Sequence, residues 1–444
     1  MTTATDTSAG NIVTHRAVLS IAVPVMLSNV STPLIGVVDT AVVGQIPDPA
    51  YIGGVAVGAL VFSFVFWGFG FLRMGTTGLT AQALGANDVD EVAAHLGRAL
   101  LIALTVGLAL IVLQWPIRGT AFSLLGGSGQ VEDLARVYFD IRIWAAPATL
   151  ANYALLGWFI GLGRTDIGLV LQLVLNLTNI ALDALFVLGF GWDVRGVALG
   201  TLTAECVAAG VGLVLAWRHM RSRGGSFSVA SLLVAERLKR TIVVNGDIML
   251  RSLALIMVFV WFVAQGARQG DVVLAANAVL MHFISVGAFF LDGLAFAAEA
   301  LVGRALGARH RAGLIAAVKI TTLWAAATAV AIALLTLVVG AAVIDLMTVD
   351  EAARAAARIY LPWVVVAPLL GIWAFQLDGI FIGATHTAQM RNAMIMTVAI
   401  YLLAWWLLQP YGNHGLWAAL CVHYLARIAT LLAYYPGLLR SVPV

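Results

Sequence analysis

Long apolar runs without a charged residue dominate this sequence, and the first of them extends from Ala17 to Val38. About 20 consecutive apolar residues suffice for a helix to cross the hydrocarbon core of a membrane. Across the 444 residues, 61% are hydrophobic and only 11% are charged. A soluble domain has about 45–50% apolar and about 25% charged residues, so this chain is not soluble and spans a membrane many times.

The apolar runs are separated by Gly, Pro and charged residues, and they predict an all-α polytopic membrane protein with twelve transmembrane helices. Runs of this length do not fit transmembrane strands, which need only about 9–11 residues of alternating polarity. The predicted spans lie near residues 15–43, 51–82, 92–117, 133–161, 166–190, 195–219, 237–266, 272–302, 312–345, 352–383, 389–409 and 415–437.

The distribution of basic residues predicts the orientation of the spans, because Lys and Arg concentrate in cytoplasmic loops. The most basic loop lies between the sixth and seventh spans, and Arg164, Arg309 and Arg391 fall on the same side. We therefore expect both termini in the cytoplasm and the chain in the inner (plasma) membrane. The first span is longer than the apolar core of a cleaved signal peptide, so we expect it to be retained.

The second half of the chain repeats the first. Gln82–Ala86 and Arg304–Ala308 share the residues Ala-Leu-Gly-Ala at a distance of 222 positions (307 − 85), and Phe159–Gly161 recurs as Phe381–Gly383 at the same distance. Each half then holds six spans, and two similar lobes around a central cleft are what alternating access requires. The predicted organisation is an N-terminal tail (1–14), a lobe (15–219), a cytoplasmic linker (220–236), a second lobe (237–437) and a C-terminal tail (438–444).

Ionisable residues inside spans cost about 2.5–3.5 kcal/mol each on insertion scales and therefore indicate function. Asp39 lies toward the outer end of the first span, and Asn176, Asn179 and Asp183 share one face of the fifth. Two neighbouring carboxylates repel each other when both are ionised, so Asp39 and Asp183 are a candidate site for H⁺ or Na⁺. The alternative is that both only form hydrogen bonds between helices.

Three more polar residues are candidates to complete this N-terminal cluster. Asn152 lies in the fourth predicted span, and Thr201 and Glu205 lie one turn apart in the sixth. Glu205 could instead pair with a cation such as Arg73, which would make its role structural.

Charged residues also lie in the spans of the second half, where ion pairing is the competing interpretation. Asp292 and Glu299 stand seven residues apart in the eighth span, and Asp378 lies in the tenth. Arg251 in the seventh span could neutralise Asp292 or Glu299. A second ion site and a buried network that stabilises the lobe both fit these residues.

Motifs of soluble enzymes and of ATP-driven pumps are absent from the sequence. It contains no G-x-x-x-x-G-K-[ST] phosphate loop, no G-x-S-x-G and no H-E-x-x-H. Its two cysteines have no metal-type spacing, and its net charge of +3 gives no reason to expect nucleic acid. We expect no metal or cofactor beyond H⁺ or Na⁺ as coupling ion, and as partners the lipid bilayer and small organic, cationic or amphipathic substrates. We also expect a monomer.

Three segments, Asp39–Gly44, Asn245–Arg251 and Leu291–Ala300, resemble the DinF branch of the MATE (multidrug and toxic compound extrusion) family. Together with the twelve spans and the repeat, the resemblance extends over residues 14–440. It implies a multidrug exporter with two six-helix lobes that is driven by H⁺ or Na⁺ entering from outside.

The resemblance also implies site residues. The aspartate in the first helix of that branch matches Asp39, the asparagine and aspartate in its fifth helix match Asn179 and Asp183, and Asn152 and Thr201 match its fourth-helix asparagine and sixth-helix threonine. In the related NorM branch, cation binding depends on acidic residues of the C-terminal lobe, for which Glu299 and Asp378 are the candidate counterparts.

The function expected from the sequence is cation antiport, with H⁺ as the coupling ion. Protonation of Asp39 and Asp183 from outside would remove charge, let the first helix bend at Pro24 and Pro33, and release the substrate. A flippase for lipids or lipid-linked oligosaccharides has the same architecture, but its cleft should be cationic. A membrane-embedded enzyme is the more distant alternative.

Overall fold

The computed structural model describes residues 13–125, 129–224, 229–232 and 234–442, and α-helices make up nearly all of this part of the chain. The α-helices run His15–Val43 (α1), Pro49–Gly68 (α2), Phe71–Gly85 (α3), Val89–Val112 (α4), Gln114–Leu125 (α5), Gly129–Arg142 (α6), Ala146–Gly161 (α7), Thr165–Asp183 (α8), Asp193–Ser222 (α9), Val229–Leu232 (α10), Ala235–Ala267 (α11), Asp271–Gly307 (α12), Arg311–Met347 (α13), Glu351–Gly383 (α14), Thr387–Leu408 (α15) and Gly412–Arg440 (α16).

Eleven helical segments of the described residues are long and apolar enough to cross a membrane. The last of them, Thr387–Arg440, has 54 residues, far more than the roughly 20 that one crossing needs. A 3₁₀ turn at Gln409–Tyr411 divides it into α15 and α16, and the following Gly412 has a φ of 56°, which glycine adopts without strain. Counted as two crossings, this segment gives the twelve membrane helices predicted from the sequence.

Several spans are less regular than the sequence predicted. The second consists of α2 and α3, which are separated by Phe69 and Gly70, and a 3₁₀ turn at Ile143–Ala145 joins α6 to α7 in the fourth. The third predicted span (92–117) ends at Val112, and α5 begins at Gln114. The first span is a single helix that continues through both of its prolines.

The described chain forms two compact units. The C-unit comprises Met1–Met26, of which residues 13–26 are described, together with Ala81–Asn87 and Gly246–Val444. The N-unit comprises Leu27–Thr80 and Asp88–Asn245. The first turns of α1 and the end of α3 therefore pack with the C-terminal half of the chain, which no pattern in the sequence indicated.

The packing inside the two units repeats at the spacing of 222 residues. In the N-unit, a Cβ at Gly157 would lie 2.3 Å from the carbonyl oxygen of Arg73. In the C-unit, a Cβ at Gly379 would lie 2.4 Å from the carbonyl oxygen of Ala295, and both residues stand 222 positions after their N-unit counterparts. Small residues let membrane helices approach at backbone distance, so the duplication is preserved in the contacts themselves.

The segment that follows α9 is fastened to α4 by a buried arginine. Arg98 is 0% exposed and donates hydrogen bonds to the backbone carbonyls of Ser231 at 2.9 Å and Leu232 at 3.4 Å. Its Nη1 also lies 2.8 Å from Glu91, and Glu91 pairs in addition with Arg237 at the start of α11. Arg98 and Glu91 thus connect α4 with α10 and with the start of α11.

Candidate functional site

Two buried carboxyl groups lie beside each other in the N-unit. Asp39 in α1 is 6% exposed, Asp183 at the end of α8 is 0% exposed, and the two side chains interact directly. Neither oxygen of Asp183, nor Oδ1 of Asp39, has a hydrogen-bond partner among the described residues. A buried carboxylate pair of this kind needs a proton or a cation to offset its charge.

Local backbone structure places Asp183 against α9. The α-helix ends at Asp183 and continues as a π-helix over Ala184–Gly189, a form that is frequent at functional sites. On the facing helix, a Cβ at Gly200 would lie 2.0 Å from Asp183 Oδ1. Only a glycine at position 200 leaves room for the carboxylate where it stands.

Amide and hydroxyl groups surround the carboxyl pair. Asn179 is 0% exposed and donates to Thr201 Oγ1 at 3.3 Å, while Thr201 Oγ1 donates to the Val197 carbonyl at 3.1 Å. The Asn179 Oδ1 atom has no partner in the described part of the chain. This atom, Oδ1 of Asp39 and both carboxyl oxygens of Asp183 are thus four buried oxygens that accept no hydrogen bond from the described residues. Such a group of oxygens can bind H⁺ or Na⁺.

Asn176 forms different hydrogen bonds from Asn179. Its Nδ2 donates to the carbonyl of Ser31 at 3.0 Å, and its Oδ1 accepts from Gln172 at 2.8 Å. The side chain therefore connects α8 to α1 two residues before the proline at position 33. Asn176 shares the helix face of the site, but its hydrogen bonds hold two helices together.

Asn152 and Glu205 form a pair of their own between α7 and α9. Asn152 Nδ2 donates to Glu205 Oε2 at 2.7 Å and to the Glu205 carbonyl at 3.1 Å. Glu205 is 9% exposed. The sequence predicted that these two residues belong to one cluster, and the structure brings them together.

A cation that sequence analysis missed completes the N-unit cluster. Arg142 at the end of α6 donates to the Tyr138 hydroxyl at 2.7 Å, and its guanidinium lies 5.0 Å from the centre of the Phe62 ring. It interacts electrostatically with three acidic side chains, which are those of Asp39, Asp183 and Glu205. The sequence contained the signal, because Arg142 lies well inside the predicted span 133–161.

The charges of the C-unit pair with one another. Asp378 Oδ2 accepts from both Arg251 and Arg427, and Arg427 Nε lies 3.3 Å from Asp378 Oδ1. The sequence suggested Asp292 or Glu299 as a partner of Arg251, and the structure shows that Asp378 is a partner of this arginine and of Arg427. Asp292 interacts electrostatically with Arg427, so the cluster holds two cations and two acids.

The two clusters differ in how their carboxyl groups are compensated. Asp378 forms ion pairs with Arg251 and Arg427, whereas Asp39 and Asp183 form no ion pair within the described ranges. In the N-unit, buried Arg73 also reaches the cluster, because it interacts with Tyr153, which interacts with Glu205 and Arg142. Glu299 is 1% exposed and lies on α12. Within the described ranges, no three His, Cys, Asp or Glu side chains are arranged to hold a metal ion.

Comparison with known proteins identifies relatives along nearly the whole chain. The sequence model of the MatE family matches twice, over residues 24–185 and 248–408. DNA damage-inducible protein F of Escherichia coli K12 is 40% identical over 420 residues, which are 95% of this chain and 92% of that protein. Protein DETOXIFICATION 44 of Arabidopsis thaliana, a chloroplastic protein, is 24% identical over 93% of this chain and 80% of its own length. Multidrug export protein MepA of Staphylococcus aureus is 22% identical over 44% of this chain and 43% of its own length.

Solved structures share the fold. A crystal structure described as MATE in the bent conformation superposes with a TM-score of 0.86 at 18% identity and covers 96% of both chains. A transporter of the MOP superfamily from Pyrococcus furiosus superposes with a TM-score of 0.85 at 19% identity, with 97% of each chain covered. At these identities, the likeness shows the architecture of the chain.

Proposed function

Because the chain belongs to the MatE family and is thus a membrane transporter rather than an enzyme, we propose that it is a secondary multidrug exporter driven by proton antiport. Its substrates are small organic compounds, cationic or amphipathic. The protein works as a monomer in the inner membrane with both termini in the cytoplasm, and it needs no cofactor besides the coupling ion.

The observation that carries the proposal is the contact between Asp39 and Asp183. Both carboxyl groups are buried, they lie beside each other, and three of their four oxygens accept no hydrogen bond from the described residues. Ionisation of both of these neighbouring carboxyl groups is strongly disfavoured without a positive charge between them. The pair is therefore suited to exchange a proton for a cationic substrate.

Export follows from this competition. When both carboxyl groups are ionised, they attract a cationic or amphipathic substrate. A proton that enters from outside cancels that attraction and releases the substrate. Thermodynamic linkage requires the reverse as well, so substrate binding must expel the proton.

Arg142 compensates part of the negative charge of the site. Three acidic side chains interact with this guanidinium, so its single positive charge does not neutralise all of them. Exchangeable protons or cations supply the rest of the compensation in this proposal. A guanidinium cannot be deprotonated in a protein, so the compensating charge of Arg142 is permanent.

The C-unit cluster has a structural role in this proposal. Asp378 is held between Arg251 and Arg427, so its charge is already compensated. Removing one partner from a buried ion pair costs about 3–5 kcal/mol, because it leaves an uncompensated charge. Such a network stabilises the C-unit and does not release its carboxylate to a coupling ion.

The variant Asp39→Asn tests the proposal. It preserves the shape of the side chain and removes the titratable group, so pH-dependent dye efflux in everted membrane vesicles should disappear while the protein still inserts. The matched control is Asp166→Asn on α8, where an exposed acid pairs with exposed Arg164. Full proton-coupled efflux by Asp39→Asn would show that the coupling site lies elsewhere.

A further inference from the structure

A polar pocket of about 280 Å³ opens at one end of the C-unit, far along the chain from the carboxyl pair. Gln265 at the end of α11 lines it together with Arg268 and Gln269, which directly follow the helix. Gln409 in the turn after α15 and Gly412 at the start of α16 line the opposite side. Trp405 and Leu416 complete the described lining. Three primary amides and a guanidinium converge there, and no described lining residue is acidic.

Buried hydrogen bonds hold the helices beneath this pocket in place. Asn277 and Asn413 exchange two amide hydrogen bonds of 2.8 and 2.9 Å, and Trp417 Nε1 donates to Asn277 Oδ1 at 2.9 Å. Both asparagines are 3% exposed. The network ties α12 to α16 next to the turn, so the pocket is preformed and does not depend on a mobile loop.

The buried side chain of Gln265 lines the pocket. It is 6% exposed and belongs to the last turn of α11, and Gln269 follows four residues later, beyond the end of the helix. The backbone at Gly412 lies close to the side chain of Gln269, since a Cβ at Gly412 would lie 3.7 Å from Gln269 Oε1. A buried polar side chain that faces a cavity favours a polar occupant, because an unsatisfied amide is costly to bury.

The pocket lies where the helices leave the membrane. Its residues stand at the ends of the spans predicted at 237–266 and 389–409 and at the start of the span at 415–437. Trp406 is 62% exposed and Tyr411 is 68% exposed, and both flank the pocket in sequence. Exposed Trp and Tyr at helix ends are typical of the headgroup level of a bilayer. The orientation that places the termini in the cytoplasm places this end on the outer face.

The chemistry of the lining selects an anion that carries hydroxyl groups. Arg268 supplies a planar guanidinium, which matches phosphate geometry. The three amides both donate and accept, so they can bind hydroxyl groups, and the partly buried Trp405 supplies an apolar wall that packs edge-on against Trp261 at 5.0 Å between ring centres. Asp271, the acid that begins α12, is exposed and does not line the pocket.

We propose that this pocket binds the headgroup of an anionic glycerophospholipid, with Arg268 on the phosphate and the amides of Gln265, Gln269 and Gln409 on the headgroup hydroxyls. The lipid is a structural ligand of the C-unit at the membrane surface. This site does not depend on the transport activity proposed above.

Native mass spectrometry of the full chain, released from bilayer discs, tests the proposal. The discs contain phosphatidylcholine with an equal amount of phosphatidylglycerol. The wild-type protein should retain phosphatidylglycerol in preference to phosphatidylcholine. Arg268→Gln removes the charge-assisted hydrogen bonds to the phosphate and should weaken retention about tenfold.

Arg195→Gln is the matched control, because Arg195 is an exposed arginine at the start of the sixth predicted span, on the same side of the membrane. It should retain phosphatidylglycerol like the wild type. Equal loss in both variants, or no loss in Arg268→Gln, would overturn the proposal by showing that only general surface charge or no charge matters. Displacement of the lipid by millimolar glycerol 3-phosphate would overturn the lipid assignment in favour of a soluble phosphate ester.

Discussion

A single methyl group at position 200 should uncouple the transporter without unfolding it. In Gly200→Ala the new Cβ would lie 2.0 Å from Asp183 Oδ1, whereas real contacts of this kind essentially never fall below 3.0 Å. The carboxylate oxygen must therefore retreat by at least the difference of 1.0 Å. The clashing atom belongs to a side chain, so rotation of Asp183 relieves the contact and separates it from its place beside Asp39.

Gly200→Ala should lower the rate of transport far more than the stability of the protein. Overpacking costs about 1–3 kcal/mol, and replacing glycine by alanine in a helix returns about 0.5–1 kcal/mol. A displacement of about 1 Å in a reacting group lowers rates by up to about 100-fold. We expect proton-driven dye efflux in reconstituted vesicles to fall about 10- to 100-fold, with the melting temperature lowered by only a few degrees.

Gly210→Ala on the same helix is the matched control, since a Cβ there meets nothing within 4 Å. It should transport normally and unfold at the same temperature or slightly above. If Gly200→Ala exports dye at the wild-type rate with the same dependence on pH, the position of the Asp183 carboxylate does not matter to coupling, and our reasoning about this site is wrong.

Two further variants probe the buried cations. Arg142→Gln removes a permanent positive charge from the N-unit cluster, so protons bind there more readily and the pH profile of efflux should move upward by about one unit. Arg142→Lys keeps the charge and should keep the wild-type profile. An unchanged profile in Arg142→Gln would exclude Arg142 from the site. Arg98→Ala removes the buried partner of Glu91 and leaves two carbonyl groups without their donor, so it should lower the free energy of unfolding by about 3–5 kcal/mol in denaturant melts. Arg237→Ala removes a half-exposed partner of the same Glu91 and should lower the free energy of unfolding by less than about 1 kcal/mol. Equal losses in the two variants would contradict the role described for buried Arg98 on α4.

The sequence predicted the features that depend on chain-wide patterns. Length and polarity of the runs predicted the twelve crossings, because a membrane imposes one helix length on every span. The repeat of Ala-Leu-Gly-Ala predicted two similar halves, and the structure gives the reason for the glycines: a Cβ at Gly85 would lie 2.0 Å from the Arg304 carbonyl, and one at Gly307 would lie 2.0 Å from the Gln82 carbonyl. Glycine at such a position is a steric requirement, so it persists in both copies.

Contacts between distant charges were not predictable in the same way. The sequence showed that Arg251, Asp292 and Asp378 lie in spans, but which acid meets which arginine depends on helix rotation, which no spacing specifies. Arg142 is a different case, because its place inside the predicted span 133–161 marked it as a candidate. What the pattern of apolar residues did not mark is the joint between α6 and α7, at which α6 ends with Arg142.

The direct test of proton antiport is the movement of protons when substrate is added. Purified protein is reconstituted in proteoliposomes that contain a pH-sensitive dye, and H⁺ and Na⁺ gradients are imposed independently with a cationic dye as substrate. We predict that substrate transport drives proton flux in the opposite direction, that a Na⁺ gradient alone drives none, and that Asp183→Asn abolishes the flux. Export driven by Na⁺ at uniform pH, or proton flux that survives in Asp183→Asn, would contradict the central claim.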